Sequence, residues 1–166
     1  MNDALYELLV ARRPKPYDLP VRLLIILLMV AVIFFGMPFI GVLAVFIAAL
    51  IALAAYYLIF PRLSVEYEYI LLNHDLQIDA IYNRAKRKQR MTIDIQNAEI
   101  IAPKSSPRLN SYHSEKVHDF SSGRKNDNVY AIMIPVDKKN TCILIEPDAK
   151  MLDQMQQWMG MKMYRD

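Results

Sequence analysis

The stretch Val65-Glu66-Tyr67-Glu68-Tyr69-Ile70-Leu71-Leu72-Asn73-His74-Asp75-Leu76-Gln77-Ile78-Asp79-Ala80-Ile81-Tyr82 alternates apolar and polar side chains twice, with a polar break between. Val65, Tyr67, Tyr69 and Leu71 alternate with Glu66 and Glu68, then Leu76, Ile78, Ala80 and Tyr82 with Gln77 and Asp79. A period of two places each apolar set on one face of a strand, and Asn73-His74-Asp75 supplies the turn, so a β-hairpin is predicted. The same period continues downstream, where Met91, Ile93 and Ile95 alternate with Thr92, Asp94 and Gln96. Further strands are predicted from Ala98 to Ala102, ended by Pro103, and at 116–120, 129–136 and 141–145, with Asp137-Lys138-Lys139-Asn140 as the last hairpin turn. The final element is a helix. Pro147 suits its first position, Met151, Leu152, Met155, Trp158 and Met159 share one face, and Gly160 ends it.

Upstream of the hairpin the composition changes abruptly. From Leu23 to Phe60 there are 38 residues without a charged side chain and without Ser, Thr, Asn or Gln. One straight helix of that length would reach about 57 Å, against a hydrocarbon core of about 30 Å. The stretch must therefore fold back, and Gly36-Met37-Pro38, followed by Gly41, is the break. The expectation is a two-helix transmembrane hairpin over 19–60, with legs 19–35 and 41–60 and a turn at 36–40. Asp18 serves as N-cap, and Arg22 can reach the headgroups. Full spanning and a re-entrant dip into one leaflet both fit the short first leg, and both leave the chain ends on one side. Arg12, Arg13, Lys15 and Arg22 precede the first leg and Arg62 follows the second, whereas the connection carries no charge. The positive-inside rule puts both termini in the cytoplasm of a multi-pass plasma-membrane protein. Ahead of the hairpin, 1–18 forms a cytoplasmic arm. Met1 to Val10 either makes a short helix with Leu5, Leu8 and Leu9 on one face, or frays.

Six or seven antiparallel strands and a C-terminal helix follow the order of the pleckstrin-homology-like (PH-like) fold, in which the helix closes one corner of a barrel or sandwich. The expected fold class is a membrane α-helical hairpin joined to this α+β domain at 61–166. The two first strands, the basic loop after them and Ile93-Asp94-Ile95-Gln96-Asn97-Ala98-Glu99-Ile100 resemble bacterial PH-like domains that follow transmembrane helices. Phe60-Pro61-Arg62, Val65 to Tyr69, Asp79-Ala80-Ile81-Tyr82, Arg87-Lys88, Ala102-Pro103, Asp119 to Gly123 and Glu146-Pro147 carry a narrower likeness. On them the chain resembles an uncharacterised bacterial family of short two-span membrane proteins, a domain of unknown function. That resemblance implies a plasma-membrane location and brings no activity.

Charge and cysteine content narrow the chemistry. From Arg62 onward, 16 Lys plus Arg face 14 Asp plus Glu, too even a balance for a bulk affinity for nucleic acid. Cys142 is the one cysteine, so an internal disulfide is excluded and a packing role in its strand is expected. His74, His113 and His118 make no paired metal spacing, and no cofactor is expected. Cys142, His118 and Asp119 could form a catalytic set only if the fold gathered them.

Two segments could bind an anion. Arg84, Lys86, Arg87, Lys88 and Arg90 put five cations into seven residues, in the loop expected between the second and third strands. Near an anionic leaflet each would contribute about 1 kcal/mol of attraction. A solvated turn that reinforces topology has the same composition. The same cations, with Tyr82 to stack a base, are the alternative for nucleic acid. Ser121, Ser122, Gly123 and Arg124 form the second, weaker phosphate candidate, whose backbone N–H groups could cradle an anion. The function expected is a membrane-anchored, non-enzymatic binding or scaffold module that contacts anionic lipid headgroups or a membrane protein partner. A nucleic-acid tether and an enzyme are the alternatives.

Overall fold

Alternation of apolar and polar side chains builds two separate four-stranded sheets. The protein is described by a computed structural model at residues 5–124 and 128–165. The first sheet contains β1 (Leu5–Ala11), β2 (Val65–Leu72), β3 (Asp75–Tyr82) and β4 (Lys86–Asp94), in that order. The second contains β5 (Ile100–Pro103), β6 (Lys116–Asp119), β7 (Tyr130–Val136) and β8 (Lys139–Ile145), in the order β5-β7-β8-β6. The helices are α1 (Asp18–Ile40), α2 (Leu43–Ala54), α3 (Phe60–Leu63) and α4 (Ala149–Met159). The described chain divides into two compact units, one of residues 5–13, 66–81 and 86–165, the other of 14–65 and 82–85.

In the first unit the buried side chains come from the faces that the period-two pattern marked. Tyr69, Leu71, Leu76, Ile78, Ile95, Ile101, Ile132, Ile143 and Ile145 are all fully enclosed. Met151, Met155 and Met159 bury one stripe of α4, while Trp158 stays 39% exposed. Asp148 caps α4 by accepting the Met151 N–H at 2.9 Å, so Pro147 lies just outside the helix and not at its first position. Gly160, at φ +55°, ends it as expected. The buried Tyr69 hydroxyl donates to the Phe120 carbonyl at 2.6 Å and accepts the Glu146 N–H at 3.3 Å. One phenol thereby links β2 to the segments that leave β6 and β8.

Several expectations are corrected. The domain at 61–166 has seven strands among the described residues, within the expected number, and the arm adds an eighth. The sheets form no closed barrel, and β6 runs parallel to β8 where antiparallel strands were expected. The arm is a strand where a helix or a frayed leader was expected. Its ladder pairs Tyr6 with Leu71, Leu8 with Tyr69 and Val10 with Tyr67. Leu8 therefore shares a face with the buried tyrosines, while Leu5 and Leu9 remain more than half exposed. The leucine spacing fits either period, and an unpaired edge of β2 decides for the strand. The residues 1–4 of the expected helix lie outside the described residues.

In the second unit, the fold-back falls later than expected. α1 runs through Gly36 and Pro38 to Ile40, and the turn is Gly41-Val42. Pro38 lies inside α1, and the helix ends at Ile40, where the Gly41 N–H, at φ +55°, donates to the Met37 carbonyl at 2.9 Å. Gly36 serves close approach, since a Cβ built there would meet the Ala44 Cβ at 3.0 Å. At the far end the Arg22 guanidinium lies 5.7 Å from the centre of the Phe60 ring. α1 and α2 thus run side by side, from Gly36 beside Ala44 at the turn to Arg22 beside Phe60. A π-helical turn, Ala55–Ile59, continues α2. At 23 residues, about 34 Å, α1 is long and apolar enough to cross a membrane. Leu43–Ile59 is apolar but shorter, 17 residues or about 25 Å.

Candidate functional site

The five cations of the first candidate do not sit on one loop. Asn83 and Arg84 both adopt positive φ (50° and 54°), and the Ala85 N–H donates to the Tyr82 carbonyl at 3.0 Å. Two consecutive left-handed residues make the tight turn that suits a twisted hairpin. Lys86, Arg87, Lys88 and Arg90 then lie within β4, which is the edge strand of its sheet. Their stretch shows no apolar alternation because every residue from Lys86 to Arg90 is exposed. Cations along an edge strand also discourage pairing with another chain, so this placement has a structural use of its own.

The cations differ in what they contact. Arg87 reaches inward, with Nη2 at 2.5 Å from Glu68 Oε2 and Nε at 3.8 Å from Asp79 Oδ2. Both carboxylates are buried, Asp79 to 2% exposure, and Gln77 Nε2 donates to Asp79 Oδ1 at 2.9 Å. The Glu68 contact is close but not aligned as a hydrogen bond, so Glu68 Oε2 relies on charge alone. Arg87 is thus the internal counter-ion of two buried acids. Lys86 and Lys88 are exposed and have no ion-pair partner among the described residues. Arg84 and Arg90 each have a partner already. Of the five, these two lysines offer free charge.

The second candidate is built inward as well. The Ser121 N–H donates to Asp119 Oδ1 at 2.9 Å, and the Ser122 N–H donates to Glu146 Oε2 at 3.0 Å. The Gly123 and Arg124 N–H groups are taken by the hydroxyls of Ser121 and Ser122 at 3.4 and 3.2 Å. The Ser122 carbonyl accepts the Arg13 N–H at 2.7 Å, which ties the chain after β1 to this turn. Ser121 and Ser122 are both buried. The four donors that could have cradled a phosphate are already taken inside the protein, two by carboxylates and two by serine hydroxyls. Lys125, Asn126 and Asp127 lie outside the described residues.

The imagined catalytic set is divided between two faces. In the parallel ladder Cys142 lies opposite Val117 and His118 opposite Ile143, so Cys142 and His118 point to opposite sides. His118 stacks on Phe120, with ring centres 6.0 Å apart. Cys142 is half-buried beside Met133, and burial pushes its thiol above the ordinary range.

One grouping has no signal in sequence spacing. The turn between β2 and β3 presents His74 Nδ1 at 3.0 Å from Asp94 Oδ1, at the end of β4, and at 3.6 Å from Asp75 Oδ1. Twenty residues separate His74 from Asp94, and only the sheet order β2-β3-β4 could have joined them.

A profile of the bacterial PH-like domain family DUF6106 matches residues 2–165, and the chain belongs to that family. No curated protein and no solved structure matches the chain.

Proposed function

We propose that this member of the bacterial PH-like domain family is a membrane-anchored, non-enzymatic binding module whose domain meets anionic lipid headgroups at the cytoplasmic face. The observation that carries the anchor is the β1–β2 ladder. Residues 5–11 and 65–72 are hydrogen-bonded neighbours in one sheet, and the whole apolar helical stretch from α1 to α3 lies between them. A single crossing would put these strands on opposite sides of a bilayer. An even passage, in and back, is the topology that agrees with the pairing. α1 crosses, and the shorter α2 with its π turn returns. The cationic flank of Arg12, Arg13, Lys15 and Arg22, against a chargeless turn at Gly41-Val42, favours cytoplasmic ends.

Lys86 and Lys88 on the exposed edge strand support the headgroup contact. Two lysines would contribute only about 2 kcal/mol of attraction to an anionic surface. Tethering on the same chain makes so weak an affinity effective by raising the local concentration. The test is amide hydrogen exchange on the full chain in nanodiscs of phosphatidylcholine alone or with phosphatidylglycerol. Protection of 86–90 that appears only with the anionic lipid, and disappears in K86E/K88E, is the expected result. Equal exchange in both bilayers would leave the headgroup reading without support, and a partner protein would then be sought by crosslinking in intact membranes.

A further inference from the structure

We infer that His74, Asp75 and Asp94 form a site for a divalent transition-metal ion, of the zinc or manganese class, at one end of the first sheet. His74 Nδ1 lies 3.0 Å from Asp94 Oδ1 and 3.6 Å from Asp75 Oδ1, and the three ligand atoms all fall within 4.8 Å of one another. An ion bonded at about 2.1 Å holds neighbouring ligand atoms about 3.0 Å apart at right angles and about 3.4 Å apart at tetrahedral angles. The two spacings from His74 Nδ1 lie close to those values, and the exposed Asp75 side chain can adjust its own position, so an ion can enter with little movement of the backbone.

The backbone is already fixed there. The Ile95 N–H donates to the His74 carbonyl at 2.9 Å, tying the turn to the end of β4. Asp94 Oδ1 also accepts the Gln96 N–H at 2.9 Å, which holds this oxygen in place beside His74 Nδ1. The Trp158 ring meets the His74 ring edge to face, with centres 5.5 Å apart, and limits the imidazole's rotation. All three ligand side chains are partly exposed, so water can complete the coordination shell and the ion has a path in. One imidazole with two carboxylates is a borderline-hard donor set, suited to zinc or manganese and poorly matched to magnesium, which prefers oxygen ligands alone.

Trp158 is the one tryptophan of the chain and reports on the site directly. The full chain in detergent is titrated with Zn2+ by calorimetry and with Ni2+ by tryptophan quenching, with Mg2+ as the control. Saturable one-to-one Zn2+ binding is expected, together with Ni2+ quenching that Zn2+ reverses. H74A and D94N should weaken Zn2+ binding at least tenfold and D75N severalfold. Asn at 94 keeps a side-chain acceptor for the Gln96 N–H, so D94N separates loss of a ligand from loss of the turn. Thermal melts without metal check that each variant is folded. No saturable binding up to 1 mM (about 4 kcal/mol by the usual conversion), binding unchanged in H74A and D94N, or an equal response to Mg2+ would each overturn the assignment.

Discussion

Tyr6, in the first strand, donates its phenolic hydrogen to Asp148, the residue that caps the last helix. The bond closes the domain across 142 residues of sequence and holds the outermost strand of the first sheet. Its partner keeps the phenol protonated, raising the Tyr6 pKa above its ordinary value. Tyr6→Phe should speed amide exchange in β1 and leave β7 and β8 unchanged. Asp148→Ala should do the same and cost about 1 kcal/mol more through the lost helix cap. Asp148→Asn should restore most of both. Slowed or unchanged exchange in β1 of Tyr6→Phe would refute the clasp.

Arg87→Ala should destabilise the domain by about 1–2 kcal/mol in urea unfolding, because it strips Glu68 and Asp79 of their counter-ion. The figure is below that for a fully buried pair, since solvent screens a guanidinium that is half exposed. Lys86→Ala and Lys88→Ala should each lie within about 0.5 kcal/mol of the parent. Equal effects at all three positions would remove the distinction drawn between inward and outward cations.

The stability of the domain should fall above about pH 10, and Tyr69 is a reason. Burial raises its pKa, so the phenol stays neutral in the fold where a free tyrosine ionises at about 10. A raised folded pKa gives stability that is complete below the unfolded value and is lost as pH climbs above it. Tyr69→Phe should flatten that alkaline slope. At neutral pH it should cost about 1–3 kcal/mol, because the Phe120 carbonyl and Glu146 N–H lose their partner. A slope unchanged by the substitution would assign the alkaline transition to other groups.

Gly36 and Ala44 approach closely enough that a Cβ at Gly36 would lie 3.0 Å from the Ala44 Cβ. Gly36→Leu should force them apart and lower the melting temperature of the detergent-solubilised chain. Gly36→Ala should have a smaller effect, and Ala44→Gly should relieve it in the double variant. A double variant no better than Gly36→Ala would show that the contact is slack.

Elements with a single periodicity were readable in the sequence: β2, β3, β7, β8 and the Met151, Met155, Met159 stripe all lie where their spacing placed them. β1 is not legible in the sequence, because Leu5, Leu8 and Leu9 satisfy a helical period locally, and only pairing with β2 selects the strand. The first half of β4 has the sequence of a loop, because an edge strand exposed on both faces has no apolar face to show. The fold-back was placed at Gly36 because glycine and proline mark helix ends in water. In an apolar helix pair the same glycine serves close packing, and the positive-φ Gly41 makes the turn. The cation cluster was legible as composition, but not the inward course of Arg87, which depends on where the buried Glu68 and Asp79 lie. The His74–Asp94 grouping depends wholly on sheet order.

The β1–β2 ladder also sets an order of events during synthesis. β1 leaves the ribosome first and then waits while about fifty residues, including all the apolar helices, are made before its partner strand exists. At about 5–20 residues per second that wait lasts several seconds. During it β1 has no strand to pair with, and the ladder forms only when β2 is brought back beside it. Completion of the sheet therefore records that the two ends of the helical segment have come together, written into the hydrogen bonds of the finished domain. A chain in which the two ends do not meet is left with one edge of β2 open and the Tyr6 clasp unmade.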